Sequence, residues 1–93
     1  MRLNGSLAYE KLGNEIYLSL NNEIYILDNE VSIYIFELLQ KQTEINKIKE
    51  IVINYYSDTS TYSNEEKKLF VEEFIHELIR QNILLDEKLQ YNA

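Results

Sequence analysis

Residues Glu15 to Leu27 read EIYLSLNNEIYIL, with the tripeptide Glu-Ile-Tyr on either side of a pair of asparagines. Ile16, Leu18 and Leu20 alternate with Tyr17 and Ser19, and Ile24 and Ile26 alternate with Tyr25 and Leu27. Strict alternation is the period of a half-buried strand, and asparagine tolerates the left-handed backbone that hairpin turns require. The segment reads as two strands of a hairpin. A hairpin cannot shelter its own outer edge, so the fold depends on what surrounds it.

Upstream, Leu7 and Tyr9 continue the alternation and Gly13-Asn14 supplies a turn, which makes three antiparallel strands. A two-residue loop there sets Leu7 and Tyr9 on the face of Ile16, Leu18 and Leu20. At the second turn, loop length decides the faces, because a slip of one residue inverts a strand. Asn21-Asn22 alone would turn Ile24 and Ile26 away from Leu18 and Leu20, whereas a bulged loop that includes Glu23 brings them to the same face. The apolar pattern favours the bulged loop. Tyr17, Ser19, Tyr25 and Leu27 are then expected on the second face, an oddly aromatic one for water.

After Leu27 the period becomes helical. Asp28 or Asn29 caps a helix running to about Gln40, with Ile33, Ile35, Phe36, Leu38 and Leu39 turned inward. Thr43 is the expected cap of a second helix whose stripe is Ile45, Ile48, Ile51, Val52 and Tyr55. The polar run YSDTSTYS, residues 56–63, reads as a flexible loop. Ser63-Asn64-Glu65-Glu66 has the form of a capping box and opens the longest helix. Val71, Phe74, Ile75 and Leu78 form its core stripe, Phe70 and Ile79 its margins, and Glu73, Glu77 and Arg80 its outer side. Asn82 fits a left-handed cap, after which Ile83-Leu84-Leu85 folds back as an apolar end.

Composition narrows the function. Ninety-three residues, 45% hydrophobic and without a composition shift, suit a single domain over residues 1–93 with its core at about 7–85. There is no cysteine, hence no disulfide frame, thiol nucleophile or cysteine zinc site. The N-terminus lacks a signal peptide's apolar centre and no apolar run reaches membrane-spanning length, so a cytoplasmic protein is expected. A net charge of −7 disfavours nucleic acid and anionic membranes as partners and favours neutral or basic ones. Catalysis has little support. His76, the one histidine, stands between Glu73 and Glu77 as a surface residue would, and no second histidine completes a metal set. Glu65-Glu66 and Glu72-Glu73 are adjacent pairs that point in different directions on a helix. The only glycines, Gly5 and Gly13, build no phosphate loop. No enzyme, metal or cofactor is expected.

The order of elements then meets specific residues. DNEVSIYIFELL, Asp28 to Leu39, resembles the strand-to-helix junction of the PqqD-like family, which carries Asn and then an Ile-aromatic-Glu-Leu-Leu ending, here Ile35 to Leu39. Thr43 resembles the family's threonine cap, and VEEFIHELIRQNILL, Val71 to Leu85, is similar to its Val-x-x-Phe-Leu-x-x-Leu-x-x-x-Gly-Leu-Leu ending. The resemblance spans residues 7–85, with departures at Asp28, usually apolar, at Asn82, usually glycine, and at Phe70, more often polar.

What the resemblance implies is an α+β fold of winged helix-turn-helix type, a three-stranded antiparallel sheet followed by three helices. The family's members are recognition elements of ribosomally made, post-translationally modified peptide pathways. They bind the leader of a precursor peptide as a further strand along the third strand, beside the third helix, and present it to a modifying enzyme or a leader peptidase. Carried onto this chain, the peptide would meet Glu23, Ile24, Tyr25, Ile26 and Leu27 along the edge. Phe70, Glu73, Phe74 and Glu77 would face it from the last helix. Phe70 and Phe74, four residues apart, are the expected apolar pocket. Glu73 and Glu77 are the expected source of attraction for basic partners. A chain of this length, standing alone, resembles the discrete recognition proteins of lasso-peptide pathways, acting as a monomer or weak dimer. Two other readings share the element inventory. A winged-helix DNA-binding regulator would need a basic recognition helix, whereas Glu65, Glu66, Glu72, Glu73 and Glu77 outnumber Lys67, Lys68 and Arg80. A general protein-interaction adaptor would use the same edge for another partner.

Overall fold

A computed structural model of the chain describes residues 1–55 and 62–86. Among them the elements run β1 (Arg2–Leu3), β2 (Ala8–Leu12), β3 (Glu15–Leu20), β4 (Glu23–Leu27), α1 (Glu30–Gln40), α2 (Ile45–Tyr55), α3 (Asn64–Arg80) and β5 (Leu84–Leu85). β2, β3 and β4 form a three-stranded antiparallel sheet in sequence order, and the three helices follow it, as expected of the α+β fold. Most of the proposed polar loop, residues 56–61, lies outside the described residues.

The first hairpin closes through Gly13, at φ 61°, with Leu12 opposite Glu15. Tyr9 therefore stands opposite Leu18, on the inner face. Its ring meets Phe36 edge-on, 5.3 Å between centroids. Ile16, Leu18 and Leu20 are buried, and against them lies α1, which buries Ile33, Ile35, Phe36, Leu38 and Leu39. Each such side chain is worth ~1.5–3 kcal/mol removed from water. So much of α1 is buried because it is the middle layer, with the sheet on one side and the other helices beyond.

Each helix end is built from local chemistry. The Asn29 side chain accepts the amides of Val31 and Ser32 at 2.9 and 3.2 Å. At the other end Gln42 takes the left-handed conformation, and the Gln42 and Thr43 amides reach back to Leu39 and Leu38 carbonyls. This six-to-one closure engages Thr43 in ending α1. α2 begins with the Ile48 amide on the Glu44 carbonyl, so Glu44 and not Thr43 holds the capping position. Within α2, Ile48 and Val52 are buried and Ile45 and Ile51 pack at the rim, but Tyr55 leaves the expected stripe, is 62% exposed and lies against the Tyr34 ring. α3 opens with the expected capping box of Ser63 and Glu66. It ends as α1 does, with Asn82 at φ 64° and the Ile83 amide on the Leu78 carbonyl.

One sheet had no counterpart in the sequence pattern. β1 pairs antiparallel with β5, Arg2 opposite Leu85 and Leu3 opposite Leu84. The Asn4 side chain donates to the Asn82 carbonyl at 2.9 Å, clasping the two ends of the described chain together. Two-residue strands show no alternation, which is why periodicity passes over them. The expected apolar fold-back at Ile83 and Leu84 is present, with both fully buried.

Candidate functional site

The second hairpin differs from expectation. Asn21 and Asn22 have φ of 53° and 67°, the two left-handed residues of a type I′ turn, and Leu20 stands directly opposite Glu23. The loop has two residues and Glu23 belongs to β4. Tyr25 then pairs with Leu18 and Leu27 with Ile16, so Tyr25 and Leu27 face inward. Ile24 and Ile26 pair with Ser19 and Tyr17 on the outer face, where they are 70% and 51% exposed. The expected bulge is overturned for a physical reason. Two asparagines at positive φ make a turn whose twist matches the strands, and β4 satisfies the core with Tyr25 and Leu27.

The register also decides where the backbone points. The pair flanking a two-residue turn exchanges both hydrogen bonds, and bonded pairs then alternate. The amides and carbonyls of Glu23, Tyr25 and Leu27 are thus directed to β3. Those of Ile24 and Ile26 are directed away from it. β4 has β3 as its single sheet neighbour among the described residues, so this second set lines a free edge.

Beside that edge stands α3. The Tyr25 hydroxyl donates to Glu23 Oε2 at 2.5 Å. This bond raises the phenol above its ordinary range, helped by partial burial, by the Glu23 charge and by the Glu77 carboxylate. Glu77 therefore lies near Tyr25. Phe70, Phe74 and Glu77 recur at i, i+4 and i+7 and share one margin of α3. The Phe70 and Phe74 rings are 6.4 Å apart and inclined by only 7°. Phe74 packs on the core, whereas Phe70 is 38% exposed. The opposite margin belongs to α2, where the Lys49 ammonium meets the Glu72 carboxylate and draws that carboxyl below its ordinary range.

The nine residues singled out from sequence thus divide. Tyr25 and Glu77 come together where β4 meets α3, and Leu27 shares that inner face of the strand, while Phe70 and Phe74 stack on each other along α3. Glu23 orients Tyr25. Ile24 and Ile26 offer their backbone to the edge, while their side chains lie on the other face. Glu77 is held by Arg80 at 2.7 Å and by the Gln81 amide at 3.0 Å. Glu73, one turn earlier, is likewise exposed. A polar hollow that sequence reasoning missed lies at the foot of α1, lined by Lys11, Asp28, Glu30, Tyr34, Glu37 and Tyr55. Its residues come from four separate segments, which leaves no local signal. Among the described residues no group of histidine, cysteine or carboxylate side chains could hold a metal ion. No described helix is long and apolar enough to cross a membrane.

No protein-family model and no curated protein matches this sequence. Among solved structures, TbiB1 in complex with the TbiA(beta) leader peptide is similar, with 15% sequence identity over 90% of this chain and 94% of that one. The TM-score is 0.77. At so low an identity the likeness lies in the path of the backbone, and on that ground the chain has the fold of TbiB1.

Proposed function

We propose that this chain is a PqqD-like recognition protein that binds the leader segment of a ribosomally made precursor peptide. The leader adds as a strand to the free edge of β4, beside α3, and is presented there to a modifying enzyme or leader peptidase. The observation that carries the proposal is the outward backbone of Ile24 and Ile26 on a strand whose Tyr25 lies within electrostatic reach of Glu77 on α3. Main-chain bonds from such an edge supply affinity, and alternate side-chain pockets supply choice. A leader residue opposite Tyr25 would point inward, toward Phe74 and Glu77. Its neighbours on either side would point outward beside Ile24 and Ile26. The fold shared with TbiB1, solved with a leader peptide, supports the same ligand class. The acidic margin, with Glu73 and Glu77, favours a leader or enzyme surface that is basic. The DNA-binding alternative gains no support from it, because α3 carries its carboxylates along the surface a phosphate backbone would approach.

Titration calorimetry with a synthetic leader taken from a candidate precursor peptide tests the proposal. Ile24→Pro removes an outward amide while the bonds to β3 persist, and it should weaken the leader about tenfold. Unchanged affinity in folded Ile24→Pro and Ile26→Pro proteins would sink strand addition.

A further inference from the structure

The outer face of the sheet lies away from the margin of α3 toward which a leader's inward side chains would point. Its positions are Ala8, Glu10 and Leu12 on β2, Glu15, Tyr17 and Ser19 on β3, and Ile24 and Ile26 on β4. Leu12, Tyr17 and Ile24 lie on a diagonal across the three strands, and Ile26 adjoins Tyr17 directly. Leu12, Ile24 and Ile26 are 49%, 70% and 51% exposed. Covered by nothing in the chain's described residues, this is an apolar stripe on a charged protein, the kind of patch that marks a contact surface.

Charge says what kind of partner fits. The stripe is flanked by Glu10 and Glu15, and no lysine or arginine occupies any outer position of the three strands. Glu15 accepts the Tyr17 hydroxyl at 3.1 Å, which raises that phenol and fixes the ring along the face. A second copy of this chain is a poor occupant. Related by a twofold axis, it would bring Glu10 and Glu15 of both chains into one desolvated face without a cation. We infer that the outer face docks a different protein, one whose contacting surface has an apolar centre rimmed by lysine or arginine. Resting on the leader-carrier reading, that protein is the enzyme that acts on the precursor. β4 then serves both: its edge and inner side hold peptide, its outer side holds enzyme.

The probe is a purified enzyme that processes or modifies the leader-bearing precursor, titrated onto the immobilised chain by interferometry. Leu12→Lys leaves β4 untouched and should weaken the enzyme at least about tenfold, as loss of a central apolar contact does. The Glu10→Lys, Glu15→Lys pair should slow association and flatten its dependence on salt. Leader affinity, measured by calorimetry on the same proteins, should stay within about twofold. Normal enzyme binding by both variants overturns the inference, as does an enzyme that ignores the wild-type chain. A concentration-dependent dimer broken by Leu12→Lys overturns it in favour of a second copy. If wild-type chain fails to bind leader while Leu12→Lys still loses the enzyme, the carrier reading falls and the docking face stands.

Discussion

The two copies of Glu-Ile-Tyr have opposite fates. In the first, Ile16 is buried at 2% exposure, and Glu15 and Tyr17 lie on the outer face. In the second, Ile24 is 70% exposed, and Glu23 and Tyr25 lie inward beside α3. The local chemistry is nevertheless the same, since each tyrosine hydroxyl donates to the carboxylate two residues before it. That bond belongs to the extended tripeptide, where residues i and i+2 share a face. Which face they share is settled by the number of residues in the Asn21-Asn22 turn. One turn residue more, and the inner face of β4 would carry isoleucines in place of a tyrosine.

The largest difference should appear on truncating the two isoleucines. Ile16→Ala should lose about 2–5 kcal/mol of stability in urea melts, as a buried aliphatic does, whereas Ile24→Ala should stay within ~0.5 kcal/mol. Similar costs at both sites would mean that β4 faces the other way. A backbone version sharpens the point. Tyr25→Pro removes an amide directed to β3 and should destabilise the hairpin by about 1–3 kcal/mol, while Ile24→Pro should melt close to the parent protein.

Next in size is the stacked aromatic pair on α3, the proposed pocket beside the second copy. Phe70→Ala should weaken leader binding by on the order of 1–3 kcal/mol in calorimetry, with a smaller loss of stability than the ~3–5 kcal/mol of a core phenylalanine. A badly destabilised variant whose folded fraction binds leader normally would move the pocket to the margin near Ile75 and Ile79. The turn comes third. Asn22→Gly should raise the melting temperature slightly, and Asn22→Val should cost ~1–2 kcal/mol, because a left-handed residue with a branched side chain is strained.

The smallest effect is a titration. Both Tyr17 and Tyr25 have phenols raised above 10.0 by their glutamates. A raised folded value means that the native state holds the proton longer than the unfolded one, so its contribution is complete below about pH 10 and is lost as pH rises through the folded value. Both side chains are only partly buried, so solvent screens these bonds and the alkaline loss should be slight. NMR titration should show Glu23→Gln lowering the Tyr25 phenol alone. Added leader should move Tyr25 and leave Tyr17 unchanged, and equal movement of the two would break the asymmetry between inner and outer faces.

How legible was all this in the chain itself? Element order, the capping box at Ser63 and Glu66, the Asn29 cap, the left-handed Asn82 and the buried stripe of α1 were all readable, because each depends on neighbours within a few residues. One pair of the candidate site was readable too. Phe70 and Phe74 stack because four residues of helix set them one above the other. Thr43 was misplaced by one residue, because its amide closes α1 on the Leu38 carbonyl and the first bond of α2 falls on the Glu44 carbonyl. The β1–β5 pair was invisible because its partners are two residues long and lie at opposite ends of the described chain.

By itself the sequence determined that Glu15 to Leu27 is a hairpin, that three helices follow it, and that the longest helix carries an aromatic margin next to carboxylates. These are matters of period, capping and helical spacing. Only the tertiary structure decided that Tyr25 and not Ile24 faces inward toward Glu77 of α3, that the Ile24 and Ile26 amides are the ones directed away from β3, and that Glu72 lies against Lys49 of α2. The physical reason is parity. A strand's period of two makes both registers equally good locally, and the choice between them rests on how a two-residue turn and a distant helix together fill one core.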